Sequence, residues 1–121
     1  MENLIIRQAK QTDIEKLTQF YAEEFSNQPP LEVIKQTVIF NLFHRNDFAP
    51  THFWLAQDEH EIAALVVARY RASFKAYEIE SITGKRYRRR GIASHLINLT
   101  IQKCFASGFF SILCQHFTKK H

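Results

Sequence analysis

The chain has 121 residues, 45% of them hydrophobic and 11 of them Phe, which suits one domain with a true core and excludes a disordered chain. Its formal net charge is +4, and Lys85, Arg86, Arg88, Arg89 and Arg90 carry much of the excess, pointing to an anionic partner such as a nucleotide, CoA or nucleic acid. The longest apolar run, Ile62 to Ala68, is far too short to span a membrane, and Met1-Glu2-Asn3 opens no secretory pattern, so a cytoplasmic protein is expected.

Leu4-Ile5-Ile6-Arg7 reads as a short strand. Thr12-Asp13-Ile14-Glu15 carries a capping-box signal, with Thr12 as cap and Glu15 reaching back. Ile14, Leu17, Phe20 and Tyr21 then share one helical face, and the helix ends near Phe25-Ser26-Asn27. Pro29-Pro30 opens a second helix, with Leu31, Ile34, Val38 and Leu42 in helical register and an end near Phe43-His44. Val33 and Phe40 fall on the far side of that helix, where packing is the favoured role and contact with a ligand or partner the alternative. His52 to Gln57 is a strand with Phe53 and Leu55 opposite Trp54, and a polar turn at Asp58 to Glu61 joins it to Ile62–Tyr70. The unbroken apolar character of that next segment predicts a central strand covered on both faces. Arg71 to Lys75 is a turn, and Ala76 to Thr83 a further strand. Ile92, Leu96, Ile97, Leu99, Ile101, Cys104 and Phe105 form the broad apolar surface of a third helix, which Gly108 stops. Phe109 to Cys114 is a last strand. Cys104 and Cys114 lack a metal-type spacing and read as reduced core thiols; the histidines show no ligand pattern, so no metal is proposed.

The segment joining the third helix to the strand before it is Tyr87-Arg88-Arg89-Arg90-Gly91-Ile92-Ala93-Ser94. The first amides of a helix lack intrahelical partners, and the helix dipole favours an anion there. Gly91 permits close backbone approach, small Ala93 does not obstruct it, and an arginine can fork onto a phosphate. Arg88-x-x-Gly91-x-Ala93, between a strand and a helix, resembles the acyl-CoA pyrophosphate loop of the GNAT N-acetyltransferases, Gln/Arg-x-x-Gly-x-Gly/Ala. Ile5 to Ala9 followed by Thr12-Asp13-Ile14 is similar to that family's opening strand and helix, and Phe53 to Ala64 to its first hairpin. The resemblance is collinear over nearly the whole chain. It implies an α/β (α+β mixed sheet) fold in the order β-α-α-β-β-β-α-β, as one domain over residues 1–121.

The resemblance also implies transfer of an acetyl group from acetyl-CoA to an amine, by direct attack on the thioester. Arg88, Arg89, Arg90, Gly91, Ile92, Ala93 and Ser94 would then hold the pyrophosphate. Backbone groups near Ile82 and Thr83 would hold the pantetheine arm and polarise the thioester carbonyl. Glu80 is the candidate base, with Glu78 as alternative; which face each occupies depends on strand register. Tyr87, Cys114 and His116 are candidates for the acid that protonates the thiolate, and His95 reads as a surface residue. Two departures stand out. Many family members place a proline where this chain has Gly84-Lys85-Arg86. Members also continue past the last strand with a helix and two further strands, which usually carry the acidic tyrosine. A catalytically inactive CoA-binding module is therefore an alternative, as is a homodimer completed through the last strand, whose edge invites pairing. Nucleic-acid binding ranks last, because no aromatic platform accompanies the basic loop.

Overall fold

A computed structural model of the chain describes residues 4–24, 29–43, 50–106 and 112–114. Its elements are β1 (Leu4–Gln8), α1 (Ile14–Glu24), α2 (Leu31–Phe43), β2 (His52–Asp58), β3 (Glu61–Arg71), β4 (Ala76–Thr83), α3 (Ile92–Ala106) and β5 (Ile112–Cys114). Short 3-10 turns at Gln11–Asp13 and Lys85–Tyr87 precede α1 and α3. The five strands form one sheet in sequence order, and the order of elements is the one expected. β1 through β4 are antiparallel neighbours, while β5 joins β4 in parallel, as a chain returning through a helix must.

Helices cover both faces. α1 and α2 bury Leu17, Phe20, Tyr21, Ile34 and Val38 against Phe53, Leu55, Leu65, Val67 and Ile82. On the other face α3 lays Ile92, Leu96, Ile97 and Cys104 against Ala56, Val66, Tyr77 and Ile79. β3 runs between these layers, so every residue from Ile62 to Ala68 is buried, as its continuous apolar run requires.

Three local expectations change. The turn into α1 is closed by Asp13, not by Thr12 and Glu15. The Lys10 amide donates to Asp13 Oδ2 at 2.7 Å, and Arg7 grips the same carboxylate with two 2.8 Å bonds. Those bonds hold the Asp13 carboxyl below the usual carboxylate range, the Arg7 hydrogen bonds contributing most. Glu15 instead meets Lys35 of α2 at 3.0 Å. On α2, Val33 and Phe40 are 52% and 53% exposed, because the helix has only one sheet face to cover and those positions turn away from it. The buried positions include Asn41. Phe105 of α3 is likewise exposed, and Thr100 is buried in its place, its hydroxyl donating to the Leu96 carbonyl at 2.8 Å. The expected ends at Phe25 to Asn27 and His44, the stop at Gly108 and the first half of the last strand lie outside the described residues. No helix among the described residues is long and apolar enough to cross a membrane.

Candidate functional site: the loop between β4 and α3

The site begins where β4 leaves the sheet. The Gly84 amide donates to the Ala63 carbonyl at 2.8 Å. A Cβ at Gly84 would lie 3.2 Å from that same oxygen and 3.3 Å from Phe20 of α1, so glycine allows the loop to leave against the helix. A proline here would also lose the bond to Ala63, which gives a physical reason for this departure from the family pattern.

Tyr87 comes next, buried at 4% exposure, with its hydroxyl 2.8 Å from Glu61 Oε2 and 3.0 Å from Asp58 Oδ2. Burial, then these two carboxylates, push the phenol up to about 12, so it stays protonated. Arg86 and Arg90 lie over its ring, 5.6 and 5.4 Å from the centroid, and Arg86 also pairs with Glu61 at 2.9 Å. Tyr87 thus bolts the loop to the β2–β3 turn.

Arg88 forms a second bolt. Its Nε donates to the Thr83 carbonyl at 3.1 Å and its Nη2 to Glu24 Oε1 at 2.8 Å. Past it the backbone changes hand twice, with φ of +66° at Arg89 and +77° at Gly91. Alternation of this kind turns successive amides inward into an anion nest. The first helical bond of α3 runs from the His95 amide to the Gly91 carbonyl. Among the described residues, no acceptor meets any backbone amide from Arg88 to Ser94, and no side chain caps α3. A Cβ built on Gly91 would meet nothing within 4 Å, so the space beside its Cα is open. Arg89 is exposed and forms no pair among the described residues. Ile92 turns its side chain into the core and can offer only its amide, while Ala93 is half-buried and Ser94 exposed.

The loop adjoins an open strand edge. β5 pairs with β4 only from Tyr77 to Ile79, so the β4 edge from Glu80 to Thr83 has no strand beside it among the described residues. Ile82 and Thr83 are buried there, and the Thr83 carbonyl already accepts from Arg88.

Glu78 and Glu80 both point to the α1–α2 face, since they alternate with Tyr77 and Ile79 of the α3 face. Their environments differ. Glu78 accepts from Arg71 at 2.8 Å. Glu80 has no hydrogen bond among the described residues, only Arg69 Nη2 at 3.6 Å, and its side chain is 21% exposed. Arg69 also stands 3.8 Å from Glu78 and donates to Asn41 Oδ1 of α2 at 2.9 Å. Tyr21 of α1 completes the cluster. Burial first, then the charge of Glu80, holds its phenol well above the usual range, so it stays neutral.

Sequence reading missed Arg69, Asn41, Tyr21 and Glu24. Only Arg69 carried a signal, as a cation closing an apolar strand. His95 is exposed on α3, and His116 and the Cys114 side chain lie outside the described residues. A separate cleft of about 600 Å³ runs along α1 between Glu15, Phe20 and Glu23 and the segment Gly84 to Tyr87. Its lining includes neither the open amides beyond Tyr87 nor Glu80.

A family model described as the acetyltransferase (GNAT) family matches residues 10–119. The chain belongs to the GNAT acetyltransferase family, and membership implies acetyl-CoA as acyl donor. Its fold is similar to that of an N-acetyltransferase from Staphylococcus aureus Mu50, with a TM-score of 0.69 and 18% identity over 93% of this chain and 73% of that one. The ribosomal-protein-S5-alanine acetyltransferase of Vibrio fischeri gives 0.68 at 19% identity, over 94% and 70% of the two chains. An aminoglycoside acetyltransferase from an uncultured soil metagenomic sample, solved with sisomicin, gives 0.63 at 18%, over 93% and 77%. At these identities the likeness shows the fold. No curated protein sequence matches significantly.

Proposed function

We propose that this protein binds acetyl-CoA at the loop between β4 and α3 and transfers the acetyl group to an amine. The observation that carries the reading is the row of amides from Arg88 to Ser94, unpartnered among the described residues, at a helix N-terminus with open space beside Gly91. A pyrophosphate supplies the acceptors those amides lack, and exposed Arg89 adds a cation. The β4 edge from Glu80 to Thr83, without a strand beside it among the described residues, suits an extended pantetheine arm, whose amides can pair with it as a strand would.

Glu80 is the base. It is the carboxylate on this face without a hydrogen bond among the described residues, so its lone pairs are available to an incoming ammonium, directly or through water. Once the amine is neutral it attacks the thioester carbonyl; the N–C bond forms, the C–S bond breaks and the departing thiolate takes a proton. The fold relatives are named for an aminoglycoside and for a ribosomal-protein alanine, two kinds of molecule that carry amino groups, which supports an amine acceptor without choosing within that class. A CoA-binding module without turnover is the second reading. One observation favours it: the Tyr87 hydroxyl, a candidate acid for the thiolate, is committed to Asp58 and Glu61.

Thermal unfolding with and without acetyl-CoA tests the site. Ligand at a hundredfold over its dissociation constant stabilises by about 2.7 kcal/mol, a rise of roughly 10 °C for a domain of this size. A folded protein whose midpoint does not move overturns the reading. Release of CoA thiol across a panel of small and peptide amines then separates transferase from binding module.

A further inference from the structure

We propose that Glu24, the last residue of α1, is a positioning residue for acetyl-CoA that acts through Arg88 and touches no ligand itself. The inference rests on the β4–α3 loop being the phosphate site. Glu24 and Arg88 lie 64 positions apart, yet meet at 2.8 Å with their side chains 10% and 17% exposed. The same guanidinium donates to the Thr83 carbonyl at 3.1 Å. One planar fork therefore joins the end of α1, the end of β4 and the start of the loop.

The backbone just past Arg88 gives this placement its consequence. Arg89 holds φ at +66°, a conformation that a side chain with a Cβ adopts only under constraint. α3 fixes the chain after it, and the Arg88 fork fixes the chain before it. With the fork released, Arg89 relaxes toward negative φ and the amides from Arg88 to Ser94 no longer converge. Glu24 also neutralises Arg88, so the arginine that opens the family-like motif serves the protein backbone, while the phosphates are left to the amides and Arg89. The end of α1 is thereby tied to the cofactor loop, and α1 also carries Tyr21 beside Glu80. The two halves of the site share one brace.

The position of the carboxylate oxygen and the fork of the guanidinium are the requirements, and conservative variants separate them from charge alone. Glu24→Asp keeps the charge but withdraws the oxygen by a methylene. Arg88→Lys keeps the charge but lacks the planar fork whose separate nitrogens reach Thr83 and Glu24. Glu24→Gln keeps an oxygen at the same reach. CoA affinity is measured by calorimetry for the wild type and all three, with urea midpoints on the same samples to establish that each variant is folded at the binding temperature. The dissociation constant is expected to rise about tenfold in Glu24→Asp and in Arg88→Lys, and to stay within about threefold in Glu24→Gln. A wild type that binds CoA alongside folded Glu24→Asp and Arg88→Lys proteins that bind it equally well overturns the inference and leaves the loop reading standing. Weakening in Glu24→Gln with none in Glu24→Asp also overturns it, by making the effect one of charge. A wild type that does not bind CoA removes the loop reading, and this inference with it.

Discussion

The two halves of the proposed site, the loop between β4 and α3 and the face that carries Glu78 and Glu80, are built on opposite terms. In the loop the side chains are pinned and the backbone is open: Tyr87 is held by Asp58 and Glu61, Arg88 by Glu24 and Thr83, while the amides between Arg88 and Ser94 have no protein partner among the described residues. On the glutamate face the backbone is paired, β3 to β4 along Ala64 to Arg71, and the Glu80 side chain has no hydrogen bond among the described residues. Arg69 stands 3.6 and 3.8 Å from Glu80 and Glu78, beyond hydrogen-bond length, and only Glu78 has a close partner in Arg71. Among the described residues each region keeps one set of polar groups without a hydrogen bond: the backbone donors that the proposal gives to an anion in the loop, and the Glu80 carboxylate that it gives to an ammonium on the face. Everything else in each region holds that set in place.

The comparison is broken most severely at Gly91. Gly91→Glu places a Cβ at φ +77° and a negative charge in the open space beside Gly91, at the N-terminus of α3. The protein itself offers no clash, so the loss falls on the ligand. Left-handed strain of about 1–2 kcal/mol, with phosphate repulsion added, is expected to raise the CoA dissociation constant on the order of a thousandfold by calorimetry. Unchanged affinity would remove the loop from the site.

On the other side, Glu80→Gln removes the proposed base and leaves the loop alone. Acetyl transfer at neutral pH is expected to fall about a hundredfold in kcat/KM, with CoA affinity within about twofold of wild type. Glu78→Gln, at the carboxylate already engaged by Arg71, is expected to lose less than about tenfold, below the usual range of general-base effects. Equal losses would dissolve the distinction between the two.

A smaller effect sharpens the contrast from the side of the pinned groups. Tyr87→Phe leaves two carboxylates without their shared donor and is expected to cost roughly 1–2 kcal/mol of stability in urea. The wild type carries a pH signature of the same bond. A phenol raised to about 12 in the fold, above its ordinary value of 10.0, stabilises fully below pH 10 and loses that contribution as pH climbs toward 12. Tyr87→Phe is expected to flatten the stability profile in that window, and an unchanged alkaline slope would mean that the hydroxyl is not held as described.

Much of this molecule was legible in its residues. The unbroken run from Ile62 to Ala68 marked the buried central strand, because a strand covered on both faces has no polar side to show. Gly91 beside Arg88 and Ala93 marked the loop, since a left-handed turn at a helix start has few chemical solutions. These are local properties, set within a few residues by backbone sterics and alternation. What the chain did not reveal are meetings of residues far apart in it. Arg88 read as a phosphate ligand, and nothing near it in the chain announced its bond to Glu24, from another helix. Thr12 and Glu15 fit a capping pattern that Arg7 and Asp13 displaced by a stronger, charge-assisted grip. Val33 and Phe40 were left exposed by the course of α2 across the sheet. Glu78 and Glu80 share one composition and one strand, and only the positions of Arg69 and Arg71 on the neighbouring strand separate them. Local sequence determined the elements and the shape of the loop; the tertiary structure decided which charges are neutralised and which stay available, because that depends on what the fold brings within about 3 Å.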